Sequence, residues 1–385
     1  MFVHKHQLEY LLPPETYFSQ EQHDREMEGL FLPGWHMVAC KSDLPNSGDF
    51  ITVELLGFPL QIRNFDGEFH AFLNTCSHRH CLLTHDKRGN APTLRCQYHG
   101  WEYNKSGNTG RIPDAGCFRP FDRENARLQK FRVDTCGDVI FVSLAESGPT
   151  LPEYLGPIYH TLEQLFADRW RLIWHWDQQF DCNWKIPVEN TLETYHLPCV
   201  HPKTLRGVYP SEESQTHELD ERFSTLRYSL ADDQPTLARL QERVVRRLGA
   251  DATNFYTHHL THPNIVFTLT DLYVHAQCYL PVSPTTSRTW VWYFSLRGSR
   301  PGIVPALIGS LVAIHGRITN PKIQAEDASI FADQQQGLEV SPHPGCLGTR
   351  EERLYAFQKY VRQACGDDVA TSTTDEELLQ TSHYE

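Results

Sequence analysis

Residues 74–103, NTCSHRHCLLTHDKRGNAPTLRCQYHGWEY, place three cysteines and four histidines within thirty positions. Reduced to possible ligands, the stretch becomes Cys76-x-His78, seventeen residues, then Cys96-x-x-His99. Any fold of this chain must bring those two segments together if they share a metal. Two thiolates and two imidazoles can make a tetrahedral zinc site. A pair separated by a single residue suits a zinc knuckle poorly. Two loops each offering one Cys and one His suit an asymmetric iron–sulfur cluster, in which one iron takes both sulfurs and the other both nitrogens. Surface histidines beside buried free cysteines are the bland alternative. His80 and His85 are spare on this reading.

The text around the motif alternates in character. Ser19 and Gln22 have capping-box spacing ahead of a short amphipathic helix, with Phe18 placed to staple onto it and Pro33-Gly34 closing it. DFITVELLGFPLQIRNFDGEFHAFLN, from Asp49, is β-branched and aromatic, with turns at Gly57 and Asp66-Gly67. DVIFVSL, 138–144, is a further strand, and the Pro/Gly-containing ESGPTLPEYLGP after it reads as a linker. Beyond it, NIVFTLTDLYVHAQCYLPV and RTWVWYFSL predict strands, while PTLARLQERVVRRLG and NPKIQAEDASIFADQQQGL predict helices. A chain of 385 residues exceeds one ordinary core. The expected class is α+β, divided into an N-terminal helical segment (1–34), an all-β domain (35–150), a larger mixed α/β domain (151–370) and a polar tail (371–385). Arg239, Arg243, Arg246 and Arg247 are expected on the solvated side of their helix.

A second constellation lies in CNWKIPVENTLETYHLPCVHPKT, 182–204. With Pro187 at a helix N1 position, Glu189, Glu193 and His196 would share one helix face, Pro198 would stop the helix, and His201 would turn back toward His196. Two unrelated histidines would fit this segment equally well. In NPKIQAEDASIFADQQQGL, Asp327 shares the apolar stripe of Ile323, Ile330 and Phe331, where a carboxylate is costly unless paired or bound to a cation. His196, His201 and Asp327 together offer the two-histidine, one-carboxylate set of non-haem iron(II) sites. Asp333 faces away from the stripe. Asn190 is expected either in an electron or oxygen path or in helix packing.

The first motif, CSHRH plus CQYHGW, resembles the Rieske proteins. Rieske proteins of respiratory complexes join their two loops by a disulfide. Here Cys81 occupies the first of those cysteine positions but the second falls at Tyr98, so the resemblance is to the bridge-free, lower-potential centres and Cys81 is expected as a packing residue. With NWK, EN, E and YH-to-H in the second segment and ED before Q-x-GL in the third, nearly the whole chain resembles the Rieske non-haem iron oxygenases, the α subunits of ring-hydroxylating systems. The resemblance implies a helix-grip-like antiparallel sheet in the catalytic part, a 2Fe-2S cluster on Cys76, His78, Cys96 and His99, and mononuclear iron on His196, His201 and Asp327. It also implies a homotrimer in which an acidic residue, here Glu193, bridges one subunit's cluster to its neighbour's iron. Ring dioxygenases usually carry aspartate there, and glutamate is familiar among relatives that oxidise quaternary ammonium compounds. The implied activity is mono- or dioxygenation, hydroxylating or demethylating a small aromatic or quaternary ammonium substrate with O2. The alternative is an electron-transfer protein without oxygenase activity.

Composition limits the partners. A formal charge of −13 opposes nucleic acid and anionic membrane. The apolar run Ile303–Ile314 contains Pro305 and falls short of the roughly 20 residues a span needs. The expectation is a cytoplasmic protein with reduced thiols, receiving electrons from a separate NAD(P)H-dependent reductase or ferredoxin, because the sequence has no dinucleotide-binding fingerprint.

Overall fold

The computed structural model describes residues 2–122, 124–166 and 169–366. The polar tail of the sequence reading lies outside them. Strands β1 (Trp35–Cys40), β2 (Asp49–Leu55), β3 (Phe58–Phe65), β4 (Glu68–Leu73) and β5 (Arg88–Asn90) belong to a first sheet, completed by β8 and β9 below. Strands β6 (Leu94–Arg95) and β7 (Glu102–Tyr103) form a separate two-stranded ribbon. After β8 (Lys130–Cys136) and β9 (Val139–Ser143), the first sheet runs β1-β9-β8-β4-β3-β2-β5. The two expected turns are two-residue hairpins: Leu56-Gly57 and Asp66-Gly67 each put consecutive residues at positive φ, the type I′ geometry that matches strand twist. Glycine serves the second position of each, and Asn64 Oδ1 accepts from Gly67 N at 2.7 Å.

The second sheet is antiparallel throughout. Its strands are β10 (Trp170–Phe180), β11 (Gln215–Leu219), β12 (Phe223–Ser229), β13 (Phe255–Thr261), β14 (Ile265–Leu269), β15 (Tyr273–Ser283) and β16 (Thr286–Leu296), in the order β10-β16-β15-β14-β13-β12-β11. The helices are α1 (Gln20–Glu26), α2 (Leu151–Leu155), α3 (Ile158–Leu165), α4 (Lys185–Thr191), α5 (Leu197–Val200), α6 (Leu230–Asp233), α7 (Pro235–Leu248), α8 (Ile303–Ala328), α9 (Phe331–Val340) and α10 (Glu352–Ala364). The result is an all-β part followed by a larger part of helices on an antiparallel sheet.

The two sheets share one apolar core. Met37, Ile140 and Phe141 of the first pack in the same cluster as Ala276, Trp292 and Phe294 of the second, with Leu151, Leu155 and Leu162 among them. The segment read as a linker therefore holds helices: Thr150 Oγ1 accepts from Glu153 N, and Glu153 Oε2 accepts from Thr150 N at 2.8 Å, a capping box that starts α2. At the N-terminus Ser19 Oγ accepts from Gln22 N at 3.3 Å and starts α1 as the spacing predicts. Phe18 is exposed and does not staple it. Tyr17, Leu30 and Phe31 pack with Trp184, Phe357 and Val361. Glu26 reaches the same interior, where its carboxylate accepts from Lys185 Nζ and Trp184 Nε1, both at 2.6 Å.

Helix α8 corrects the sequence reading twice. The apolar run is continuous, because Pro305 lies in the first turn, where a missing N–H leaves no bond unmade. By length and composition Ile303–Val340 suffices to cross a bilayer. Ile303, Leu307, Leu311 and Ile314 are each more than half exposed. The predicted single helix over NPKIQAEDASIFADQQQGL is divided at Ser329-Ile330 between α8 and α9. The four arginines of α7 are exposed, with Arg246 paired to Glu242 one turn back.

Candidate metal centres

Residues 76–81 and 96–101 fold into the same turn. In the first, Cys76 N bonds Cys81 O at 2.8 Å and His80 N bonds Cys76 O at 3.0 Å; in the second, Cys96 N bonds Trp101 O at 2.8 Å and Gly100 N bonds Cys96 O at 3.0 Å. The fifth residue of each is left-handed, His80 at φ 58 and Gly100 at φ 71. His80 thus occupies a place that glycine fills without strain. It and His85 point to solvent. Each turn presents its cysteine first, and the histidine third in one turn and fourth in the other.

Both cysteines are buried, and the histidines lie outside them. The rings of His78 and His99 are 4.8 Å apart, and His78 stacks on Trp101 with centroids 4.6 Å apart. Tyr103 Oη lies 3.0 Å from Cys76 Sγ, and Tyr98 N donates to Cys96 Sγ at 3.4 Å, so both sulfurs have donors suited to a thiolate. His78 Nδ1 is buried without a hydrogen-bond partner. An unsatisfied imidazole nitrogen beside two buried sulfurs fits a Rieske cluster. All eleven cysteines are free, and Cys81 packs against the small core beneath the loops. The sequence reading missed Tyr103 and Trp101 as supports, although HGWEY contains both.

The second centre departs from the expected helix face. α4 ends at Thr191, Pro187 sits at its third position, and Glu189 turns into the core. Tyr17 Oη donates to Glu189 Oε1 at 2.6 Å and Gln358 Nε2 donates at 3.0 Å. Burial pushes the Glu189 carboxyl up to about 7. Glu193 follows in a turn, His196 is the N-cap of α5 and His201 its C-cap. Pro198 lies in the first turn of α5, so it helps begin a helix where it was expected to end one.

Across this short helix the two rings converge on α8. His201 Nε2 is 2.9 Å and His196 Nε2 3.6 Å from Asp327 Oδ1. Ligand atoms of the three residues lie within 4.8 Å of one another. The Nδ1 atoms point away: His196 Nδ1 meets Glu193 Oε1 at 2.5 Å, and His201 Nδ1 meets Glu326 Oε2 at 2.9 Å. Each carboxylate holds the proton on Nδ1 and turns Nε2 inward, the arrangement found behind metal-bound imidazoles. Glu193 Oε2 also accepts from the backbone N of Tyr195 and His196, and Thr204 Oγ1 donates to Glu326. Asn190 Nδ2 donates to Asp327 Oδ1 at 2.9 Å. Asp333 is exposed on α9. Glu326 was not singled out by sequence; its only signal was its place beside Asp327.

These three residues line a cavity of about 840 Å³. Its wall includes a row across four strands, His258 (β13), Thr268 (β14), His275 (β15) and Tyr293 (β16), set opposite one another by the register. Phe180, Tyr228, Tyr256 and Leu240 add apolar and aromatic surface. Burial lowers His258 well below the usual imidazole range and His275 to about 3, so both rings are neutral. The carboxylates among the lining residues are Glu193 and Asp327.

Comparison with known proteins follows this geometry. A family model described as the ring hydroxylating alpha subunit (catalytic domain) matches residues 167–367, and one described as the Rieske [2Fe-2S] domain matches 34–132. The chain is 31% identical over 200 residues to the glycine betaine monooxygenase oxygenase subunit of Pseudomonas aeruginosa, covering 51% of this chain and 46% of that one. It is 30% identical over 200 residues to the anthranilate 1,2-dioxygenase large subunit of Burkholderia cepacia, covering 49% and 47%. The chain thus spans about half the length of the curated relatives it matches. Among solved structures, the quaternary ammonium Rieske monooxygenase CntA with L-carnitine superposes with a TM-score of 0.73 at 20% identity, over 92% of this chain and 95% of that one. Naphthalene 1,2-dioxygenase with indole bound gives 0.72 at 17% identity, over 98% and 96%.

Proposed function

Because the chain belongs to the ring-hydroxylating α-subunit family, with a Rieske domain ahead of the catalytic domain, we infer that it is the terminal oxygenase of a multi-component system. Its cofactors are a Rieske 2Fe-2S cluster and mononuclear iron. Cys76, Cys96, His78 and His99 would hold the first. His196, His201 and Asp327 would hold the second, which when bound supplies oxygen activation with electrons relayed through the cluster. The protein's own work is orientation and exclusion. Glu193 and Glu326 fix the imidazoles, Asn190 fixes Asp327, and the aromatic cavity wall seats an organic molecule beside them while limiting water.

The observation that carries this reading is the convergence of His196, His201 and Asp327 on a cavity large enough for a small organic substrate. A pure electron carrier needs neither. The same proposal includes a domain division near residue 150, a cytoplasmic location, a separate reductase or ferredoxin, and a homotrimer in which Glu193 bridges to a neighbouring subunit's cluster. Glu193 suits that role: one oxygen is on His196 Nδ1, and the neighbouring Tyr195 is well exposed, which puts this turn at the surface. The substrate class is an aromatic or quaternary ammonium compound. The test is oxygen uptake by the iron-replete protein with a surrogate reductase, alongside iron analysis. Substrate-dependent uptake and three irons per chain are expected from two in the cluster and one beyond it. Two irons per chain and no substrate-dependent uptake would instead leave an electron carrier.

A further inference from the structure

Arg353 of α10 is a buried cation beside the cavity; the neighbouring carboxylate that acts on it, Glu352, is itself hydrogen-bonded to His217 and His4. Arg353 is 1% exposed and lines the cavity, and no ion pair among the described residues includes it. Its guanidinium is held by neutral groups. Nε donates to Ser224 Oγ at 3.2 Å, one terminal nitrogen to Leu192 O at 3.4 Å, and the other to Ser224 O and His258 Nδ1, both at 3.1 Å. Burying a charge is expensive unless an opposite charge or a full set of hydrogen bonds compensates.

The contact with His258 fixes a tautomer. A guanidinium only donates, so His258 Nδ1 must accept, and the ring's proton sits on Nε2. Among the described residues Nε2 makes no hydrogen bond, and His258 lines the cavity. The ring therefore offers the cavity a donor polarised from behind by a cation. Thr268 and His275 stand beside it along the strand row. Glu193 and Asp327, the carboxylates of the cavity wall, are already engaged with His196, His201 and Asn190. Among the described residues, the cavity wall thus offers a cation-backed donor and no uncommitted carboxylate to meet it.

We propose that His258, backed by Arg353, is the substrate-anchoring group of this cavity and that it selects molecules bearing a carboxylate. This rests on the oxygenase reading for the word substrate, and it narrows the two substrate classes to carboxylate-bearing ones. An acceptor oxygen at His258 Nε2 gains a charge-assisted bond, and its negative charge compensates Arg353. A ligand whose only charge is positive meets a donor that repels it. His258 is a positioning and specificity residue and takes no part in the oxygen chemistry.

The test is calorimetric binding to the iron-replete, resting protein, with benzoate, nitrobenzene and tetramethylammonium as probes. Benzoate should bind at least tenfold more tightly than neutral, similarly shaped nitrobenzene, and tetramethylammonium more weakly than either. In His258→Phe the ring remains and the donor is lost, so benzoate should fall to the level of nitrobenzene while nitrobenzene binding and iron content stay unchanged. His258→Gln, which restores an N–H donor, should recover part of the preference. No benzoate preference in the unmodified protein overturns the proposal even if neither variant folds, as does a preference that survives in His258→Phe. The oxygenase reading is checked separately by oxygen uptake. Its failure leaves benzoate binding intact, and loss of benzoate preference leaves oxygen uptake with other molecules intact.

Discussion

Asn190 Nδ2 donates to Asp327 Oδ1 at 2.9 Å, tying the end of α4 to the end of α8 at the point where two histidines converge. The same oxygen faces His201 Nε2 at 2.9 Å and His196 Nε2 at 3.6 Å, so the bond orients the carboxylate toward both imidazoles.

Asn190→Ala should therefore weaken iron binding at the mononuclear site by about 10- to 100-fold, as loss of a metal-orienting partner does. Asp327→Ala should empty the site and abolish oxygen uptake, while the Rieske spectrum persists because separate segments build the two centres. Asp333→Ala should change neither. Iron titration with the cluster spectrum as internal reference reads all three, and an iron-replete Asp327→Ala protein would remove Asp327 from the ligand set.

Glu193→Gln retains a side chain able to accept from His196 Nδ1 but loses the charge. Both metals should load. Electron delivery should slow by at least tenfold, seen in stopped-flow as a reduced cluster persisting with oxygen and substrate present. Normal reoxidation would show that Glu193 only orients His196.

At the cluster, Tyr103→Phe removes the hydroxyl 3.0 Å from Cys76 Sγ. Hydrogen bonds to cluster sulfur raise the reduction potential, so the variant's potential should fall. His99→Cys should lower it further, since an anionic thiolate replaces a neutral imidazole. Cys81→Ser should leave it unchanged. Voltammetry measures each; an unaltered potential in cluster-replete His99→Cys contradicts its assignment as a ligand.

Glu189 supplies a pH test. Burial raises its folded-state carboxyl to about 7, above its unfolded value, so the folded protein holds the extra proton between about 4.5 and 7. Stability from this group is greatest below that window and declines as pH rises through it. Glu189→Gln keeps an acceptor for Tyr17 and removes the ionisation. Its thermal stability relative to the unmodified protein should improve by roughly 2–3 kcal/mol in going from pH 4.5 to pH 8. A difference independent of pH would mean that Glu189 does not titrate in this range.

Local signals determined a good part of this molecule. Two-residue turns at Leu56-Gly57 and Asp66-Gly67, the Ser19 cap and the alternation of the long strands are encoded over a few neighbouring residues, so they could be read directly. The spacing Cys76-x-His78 and Cys96-x-x-His99 carried the cluster motif for the same reason: each pair lies within one turn. Whatever depended on distant segments could not be read. The helix through Glu189, Glu193 and His196 satisfied local periodicity, but Tyr17 and Gln358, remote in sequence, draw Glu189 into the core and the helix ends at Thr191. Asn190 found its role only when α8 arrived 137 residues later. Glu326 and the Arg353–His258 contact likewise join segments whose proximity no local pattern encodes. Periodicity records which residues avoid water. Tertiary packing decides which buried polar groups become one another's partners, because each buried donor or acceptor must be satisfied by whatever the fold brings within reach.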